Sequence, residues 1–247
     1  MILHRRAMLL LGCLILAGSP ARAGDLLRIV TPFRPPYVVS SGAGFAEGPA
    51  IRLIQRMAEL AQLEPAVEVL PFERALLNLD RGDTLYPALL RTPTRESRYQ
   101  WIGEVFTDHA VLFTRKGAPV VRSLAEARQF GAVSVMRGSE LATLMKAAGL
   151  SNITVETSDN DNARMLAAGR VDAWFAPSSV GHAVWERQAF DPADLQASGP
   201  LARLSFWVAA AQNLDPAVVM RLRQAYADLR ATGEYDQIVA GLREPPS

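Results

Sequence analysis

Arg74–Arg95 (RALLNLDRGDTLYPALLRTPTR) and Arg164–Ser179 (RMLAAGRVDAWFAPSS) are two copies of one short unit. Each has a helix-like run, a Gly, an Asp shortly after it, an apolar strand-like stretch and a polar turn. Gly82 and Gly169 are each placed to take the left-handed conformation that ends a helix, and the residues after them read as buried strands. Such a unit delivers a polar turn to the carboxyl edge of a parallel sheet, where open α/β folds bind ligands. One copy in each half of the chain predicts two lobes facing one cleft.

Outward from these units, strands and helices alternate. Leu26–Thr31 reads as a strand that the prolines of Pro32–Tyr37 terminate, and the helical spacing of Ile51, Leu53, Ile54, Met57, Ala58 and Leu60 predicts a helix opened by Pro49. Ala66–Leu70 is a strand, Phe72–Leu79 a helix and Leu85–Leu90 a strand, followed by an arginine-rich loop over 91–98. Trp101–Thr107 and His109–Thr114 read as two short extended pieces, and Lys116–Pro119 as a boundary. Ser123 with Glu126 predicts a capping box. Strands are predicted at Ala132–Val135, Ile153–Glu156, Val171–Ala176 and Leu204–Ala211, with helices near 139–148, 160–168, 218–229 and 234–242. This alternation predicts an α/β fold with parallel sheets covered on both faces.

Residues 1–23 read as a signal peptide. His4, Arg5 and Arg6 make a positive n-region, Ala7 to Ala17 is almost wholly apolar, and Ala21-Arg22-Ala23 is a small-x-small cleavage site. The Arg5-Arg6 pair leaves both general and twin-arginine export open, and either route predicts a periplasmic protein. The single cysteine, Cys13, lies in this segment, so the mature chain has no thiol nucleophile, disulfide or cysteine metal site. Without Arg5, Arg6 and Arg22 the 26 basic residues no longer outnumber the 25 acidic ones, which speaks against nucleic acid as a partner. The roughly 224 remaining residues suit one large domain or two modest ones. His109 and His182 lack metal-ligand spacing, and no nucleophile elbow or phosphate loop occurs. No metal, cofactor or catalytic residue is expected.

Several residues together resemble a periplasmic solute-binding protein family, the one that includes the polar amino-acid receptors of ABC importers. They are Pro35-Pro36-Tyr37, the helix Ile51–Leu60, Gly82-Asp83, Thr92-Pro93-Thr94-Arg95 with Trp101, Gly138-Ser139, Gly169-Arg170-Val171-Asp172-Ala173 and Gly233-Glu234-Tyr235-Asp236-Gln237-Ile238. They occur in the family's order along nearly all of the mature chain. The resemblance implies a type II periplasmic binding protein: lobe 1 from residues 25–112 and 206–247, lobe 2 from 113–205, and crossings near His109–Lys116 and Pro200–Ala209. It further implies a monomer that closes on a small solute and delivers it to an ABC permease.

By the same resemblance Arg95, beside Thr92, grips the ligand's carboxylate, as a planar guanidinium is suited to do. Gly138 and Ser139 supply the second lobe's anion contact, Tyr37 and Phe72 an aromatic cover, and Arg34 a second positive group. Pro177 and Ser178 form the opposing turn. Two positions depart from the amino-acid receptors: Pro177 and Leu90 stand where those proteins carry acceptors for the ligand's ammonium. Either the solute is an anion without an α-amino group, or Glu73, Asp159 or Asp161 replaces the acceptor. A periplasmic sensing partner of a membrane receptor and, further off, a secreted cyclohexadienyl dehydratase share the resemblance.

Overall fold

The computed structural model describes residues 25–42 and 44–242; the expected signal peptide at 1–23 lies outside the described residues. The elements run in chain order. The first half holds β1 (Asp25–Thr31), a small hairpin of β2 (Val39–Ser40) and β3 (Ala46–Glu47), α1 (Pro49–Leu60), β4 (Leu63–Val69), α2 (Phe72–Arg81), β5 (Leu85–Leu90) and β6 (Tyr99–Arg115). There follow β7 (Val133–Met136), α3 (Glu140–Ala147), β8 (Ile153–Glu156), α4 (Asp159–Ala167), β9 (Ala173–Pro177) and α5 (Ser178–Arg187). The tail adds β10 (Leu195–Ala197), β11 (Ala202–Ala211), α6 (Pro216–Thr232) and α7 (Glu234–Val239).

One sheet runs through the molecule in the order β4-β1-β5-β11-β6-β9-β7-β8, with β10 paired to β6. Its two ends are parallel, β4-β1-β5 in the first lobe and β9-β7-β8 in the second. Its middle is antiparallel, because β6 and β11 pair antiparallel with each other and with their outer neighbours. The expectation of parallel sheets therefore holds for the ends only. The two extended pieces expected around Asp108 are one strand of 17 residues. β6 pairs with β11 up to Ala110 and with β9 from Ala110 to Thr114, so this one strand joins the two ends of the sheet.

Alternating side chains feed separate cores on the two faces. In β1, Leu27 and Ile29 enter the larger core with Ile51, Ile54 and Met57 of α1, whereas Val30 points to the other face and joins Phe72, Ala75 and Leu79 of α2. Of the helix face read from the spacing in α1, Ile51, Leu53, Ile54, Met57 and Ala58 are buried, with Ala50 beside them, whereas Leu60 in the last turn is exposed.

The two repeat units are stopped by different means. Gly169 has φ of +68°, the left-handed conformation expected. Gly82 does not: its φ is −100° and its backbone is extended. A Cβ there would sit 2.7 Å from the Asn78 carbonyl oxygen, so it is close approach to the end of α2 that demands glycine. The capping box at Ser123 is also only half formed. Glu126 accepts from the Arg122 backbone N–H at 2.9 Å and from the Ser123 hydroxyl, but Ser123 caps no N–H, and the segment 124–129 is a 3-10 turn.

Candidate functional site

β5 is delivered to the lobe junction with a built-in irregularity. Leu89 pairs with Trp207 but Tyr86 pairs with Ala209, which leaves one extra residue on β5 around Pro87, a residue with no N–H to offer the ladder. Tyr86, Ala88, Leu89 and Leu90 then line a cleft whose other walls are Arg34, Phe72, Arg95, Leu204 and Phe206, with Ser139, Glu140, Leu141 and Pro177 from the second lobe. As drawn together the walls leave about 20 Å³, space for about one water molecule.

Arg95 is the centre of this cleft and is only 4% exposed. Its loop is held from both sides. Arg91 lies over the rings of Trp207 and Trp101, 4.3 and 5.3 Å from their centroids, and forms a two-point pair with Glu96. The Trp101 indole N–H in turn donates to the Glu96 carbonyl at 3.2 Å. Glu96 and Glu104 are thereby engaged elsewhere, Glu104 with the Ser205 hydroxyl. Arg95 itself donates Nη1 to the Leu90 carbonyl at 3.2 Å. Its Nε lies 3.1 Å from Oε1 of Glu140, the first residue of α3, and the Thr94 hydroxyl donates to the other Glu140 oxygen at 3.0 Å. Burial lowers the Arg95 pKa from its usual value, partly offset by Glu140. A guanidinium starts so far above neutrality that it stays charged there.

A second ion pair crosses the lobes. Arg34 Nε donates to Asp159 Oδ2 at 3.2 Å, with side chains 14% and 8% exposed. Burial opposes the charge on Arg34, but Asp159 and its neighbours outweigh it and raise the pKa. Burial also raises the pKa of Asp159, and Arg34 only partly reverses it, as befits a buried carboxylate with one contact of ordinary length. Arg34 and Phe72 also border a wider groove of about 570 Å³ that includes Phe33, Leu70, Pro71, Met136 and Asp159, so the pair stands between two compartments of the interlobe space.

A third junction lies behind the cleft wall. Tyr37 packs on Phe106 and Phe206, with centroids 4.3 and 5.3 Å away, and its hydroxyl donates to Asp108 at 3.0 Å. Ser179, in the first turn of α5, donates both its hydroxyl (2.6 Å) and its backbone N–H (3.2 Å) to the same oxygen. The His109 N–H donates to the other oxygen at 2.7 Å. Burial and the Asp108 charge raise the Tyr37 pKa well above its usual value and keep the phenol a donor.

Of the residues singled out from sequence, the structure gathers Arg34, Phe72, Arg95, Ser139 and Pro177 around the cleft. Ser139 also caps α3, accepting from Ala142 N–H at 3.3 Å. Tyr37, Thr92, Gly138 and Ser178 are not part of its lining. Tyr37 is 1% exposed and belongs to the Asp108 junction; Thr92 bonds with Thr94; Gly138, at φ +68°, abuts the Glu73 side chain; and the Ser178 carbonyl meets His182 Nδ1. Of the three substitute acids, Glu73 lies against Gly138, Asp159 borders the wider groove, where Arg34 holds it, and Asp161 borders the same groove, bound by Ser158, Thr157 and Arg164. No motif in the sequence singles out Glu140 or Asp108. An acid in the first turn of a helix is ordinary, and only the fold brings Glu140 to Arg95.

A family model for bacterial extracellular solute-binding proteins, family 3, matches residues 27–241. Among solved structures, a histidine kinase sensor domain with similarity to periplasmic binding proteins superposes with a TM-score of 0.82 at 19% identity, covering 89% of this chain and 96% of that one. An amino acid ABC transporter substrate-binding protein from Streptococcus pneumoniae, bound to L-arginine, gives 0.75 at 19% identity over 88% of this chain and 94% of that one. An ancestral amino acid-binding protein, AncCDT-1, described as a precursor of cyclohexadienyl dehydratase, gives 0.75 at 16% identity over 88% and 94%. A search of curated protein sequences finds no match. At these identities the structural likeness speaks for the fold, that of the type II periplasmic binding proteins.

Proposed function

The chain belongs to the bacterial extracellular solute-binding proteins of family 3, and on that premise we propose that it is a periplasmic receptor for a small carboxylate-bearing solute. The observation that carries the reading is Arg95: a guanidinium almost wholly removed from water, in the lining of an interlobe cleft, already paired with a carboxylate from the opposite lobe. Taking a guanidinium out of water is expensive unless an anion meets it, and the planar fork suits two carboxylate oxygens. The solute's carboxylate takes that place, Ser139 at the start of α3 adds a polar contact, and Phe72 and Pro177 enclose the remainder.

In this reading residues 1–23 export the chain, lobe 1 comprises 25–112 and 206–247, and lobe 2 comprises 113–205. The monomer closes by rotation about the crossing strands and hands its solute to an ABC permease. Closure follows the solute only as far as the solute binds the closed form better than the open one. Leu90 and Pro177 offer no side-chain acceptor for an ammonium, and Asp159 is engaged by Arg34. This favours an organic anion over an α-amino acid.

Thermal-shift screening of dicarboxylates, aromatic acids and amino acids tests the proposal, since a solute at 100 times its Kd stabilises the folded state by about 2.7 kcal/mol. The expected result is a stabilising carboxylate whose effect disappears in Arg95→Ala. Stabilisation by neutral or cationic solutes alone would remove the reading. A sensing partner of a membrane receptor would use the same closed surface, and the likeness to a histidine kinase sensor domain is compatible with it. The two diverge in pull-down from membranes, by a permease or by a sensor kinase.

A further inference from the structure

The two ion pairs that cross the cleft have the same polarity. The cations, Arg34 and Arg95, stand on the first lobe, and the carboxylates, Asp159 and Glu140, stand on the second. Each lobe therefore presents what the other lacks, and neither pair draws on anything but the chain. The Arg95 pair is the better built of the two. Glu140 opens α3, where the exposed N–H groups of a helix start favour a negative charge. Its two oxygens are used separately, one by Arg95 and one by Thr94, both residues of the loop after β5. Only 15% of the Glu140 side chain meets solvent. The cleft around it has space for about one water molecule, so no solute carboxylate fits beside the existing pair.

We propose that Glu140 is an internal competitor for the carboxylate that Arg95 captures: the lobes close on the chain's own side chain, and a solute binds by displacing it. The competition half of the inference rests on Arg95 being the anion-binding group, as proposed above; the closure half does not. Affinity is then a difference between two carboxylates on one guanidinium, and a weakly binding anion is rejected because it cannot replace Glu140. Glu140 thereby sets a threshold for selection without touching the bound solute. The hinge equilibrium is biased as well, since Arg95 and Thr94 reach Glu140 only when the lobes are together.

The test compares the wild-type protein with Glu140→Gln and Thr94→Val. Thr94→Val keeps both charges and removes only the hydroxyl that orients Glu140, which guards against a Gln variant that folds poorly. Small-angle scattering is recorded without added solute, and calorimetry uses whichever of succinate, glutamate and phenylacetate stabilises the wild-type protein most. The expected result is a larger radius of gyration for Glu140→Gln and about tenfold or more tighter binding, the size of a lost charge-assisted competitor. Thr94→Val should move both readouts the same way by less. Unchanged scattering with unchanged affinity overturns the inference. If Glu140→Gln weakens binding while Arg95→Ala abolishes it, the reading of Arg95 stands and the competition is overturned, because Glu140 then contacts the solute. If Arg95→Ala binds as well as the wild type, the reading of Arg95 falls and takes the competition with it, while scattering alone still decides whether Glu140 closes the lobes.

Discussion

The turn after β5 carries a buried cation, whereas the turn after β9 carries the start of a helix. Both follow the same helix, glycine and strand, and both arrive at the lobe junction, yet Arg95 reaches into the cleft while Ser179 turns to Asp108 behind its wall. The first turn is a loop, pinned by Arg91 between two tryptophans, and so can hold a long side chain inward. The second has no loop: Pro177 is the last residue of β9 and α5 begins at Ser178. What reaches the junction there is backbone N–H and a short hydroxyl. One unit thus supplies the charge that Glu140 meets, and the other fastens α5 to β6.

The comparison breaks first at Asp108. Replacing it with Ala removes the acceptor shared by Tyr37, Ser179 and His109, and chemical denaturation should show a loss of about 3 kcal/mol. A loss within experimental error would mean that the junction behind β9 carries no weight. Ser179→Ala should then cost about 1 kcal/mol, since Asp108 keeps its other donors.

The two glycines sharpen it further. Gly82→Ala drives a Cβ against the Asn78 carbonyl and should cost about 2 kcal/mol, and Gly82→Asn at least as much. Gly169→Ala should cost about 1 kcal/mol for its positive φ, but Gly169→Asn less, because asparagine tolerates the left-handed region. Equal responses of the two sites to asparagine would contradict the different roles assigned to them.

The smallest effect concerns Asp159. Its pKa is raised in the folded protein from 3.8 by burial, so the folded state binds that proton more tightly than the unfolded chain. Its contribution to stability is unfavourable above the folded pKa and is relieved as pH falls through it. The stability of the wild type relative to Asp159→Asn should accordingly rise on acidification from neutral pH and level off below about 3.8. A relative fall would mean that Arg34 favours the ionised carboxylate more than burial disfavours it.

Much of this could be read from the chain, and the exceptions have physical causes. Periodicity locates Leu85–Leu90 to the residue and the buried face of α1 except at its last position, Leu60, because local burial patterns are written in local sequence. The Thr-Pro-Thr-Arg pattern singles out Arg95, and the structure buries it in the cleft against Glu140. β6 was split in two because Asp108 interrupts an apolar run; the strand continues since that carboxylate is satisfied by groups from three distant or adjacent segments. Gly82 departs from the left-handed expectation, because sequence does not distinguish a glycine needed for its dihedral from one needed for its missing Cβ. Glu140 escaped altogether: its partner is determined by how two lobes meet, which no window of sequence contains.

Titration calorimetry of the best carboxylate from the thermal-shift panel into wild-type, Arg95→Lys and Arg95→Ala proteins tests the central claim most directly. The account predicts saturable binding to the wild type, a marked loss in Arg95→Lys because a single ammonium lacks the two-point fork, and no measurable heat in Arg95→Ala. Undiminished affinity in a folded Arg95→Ala protein would contradict it.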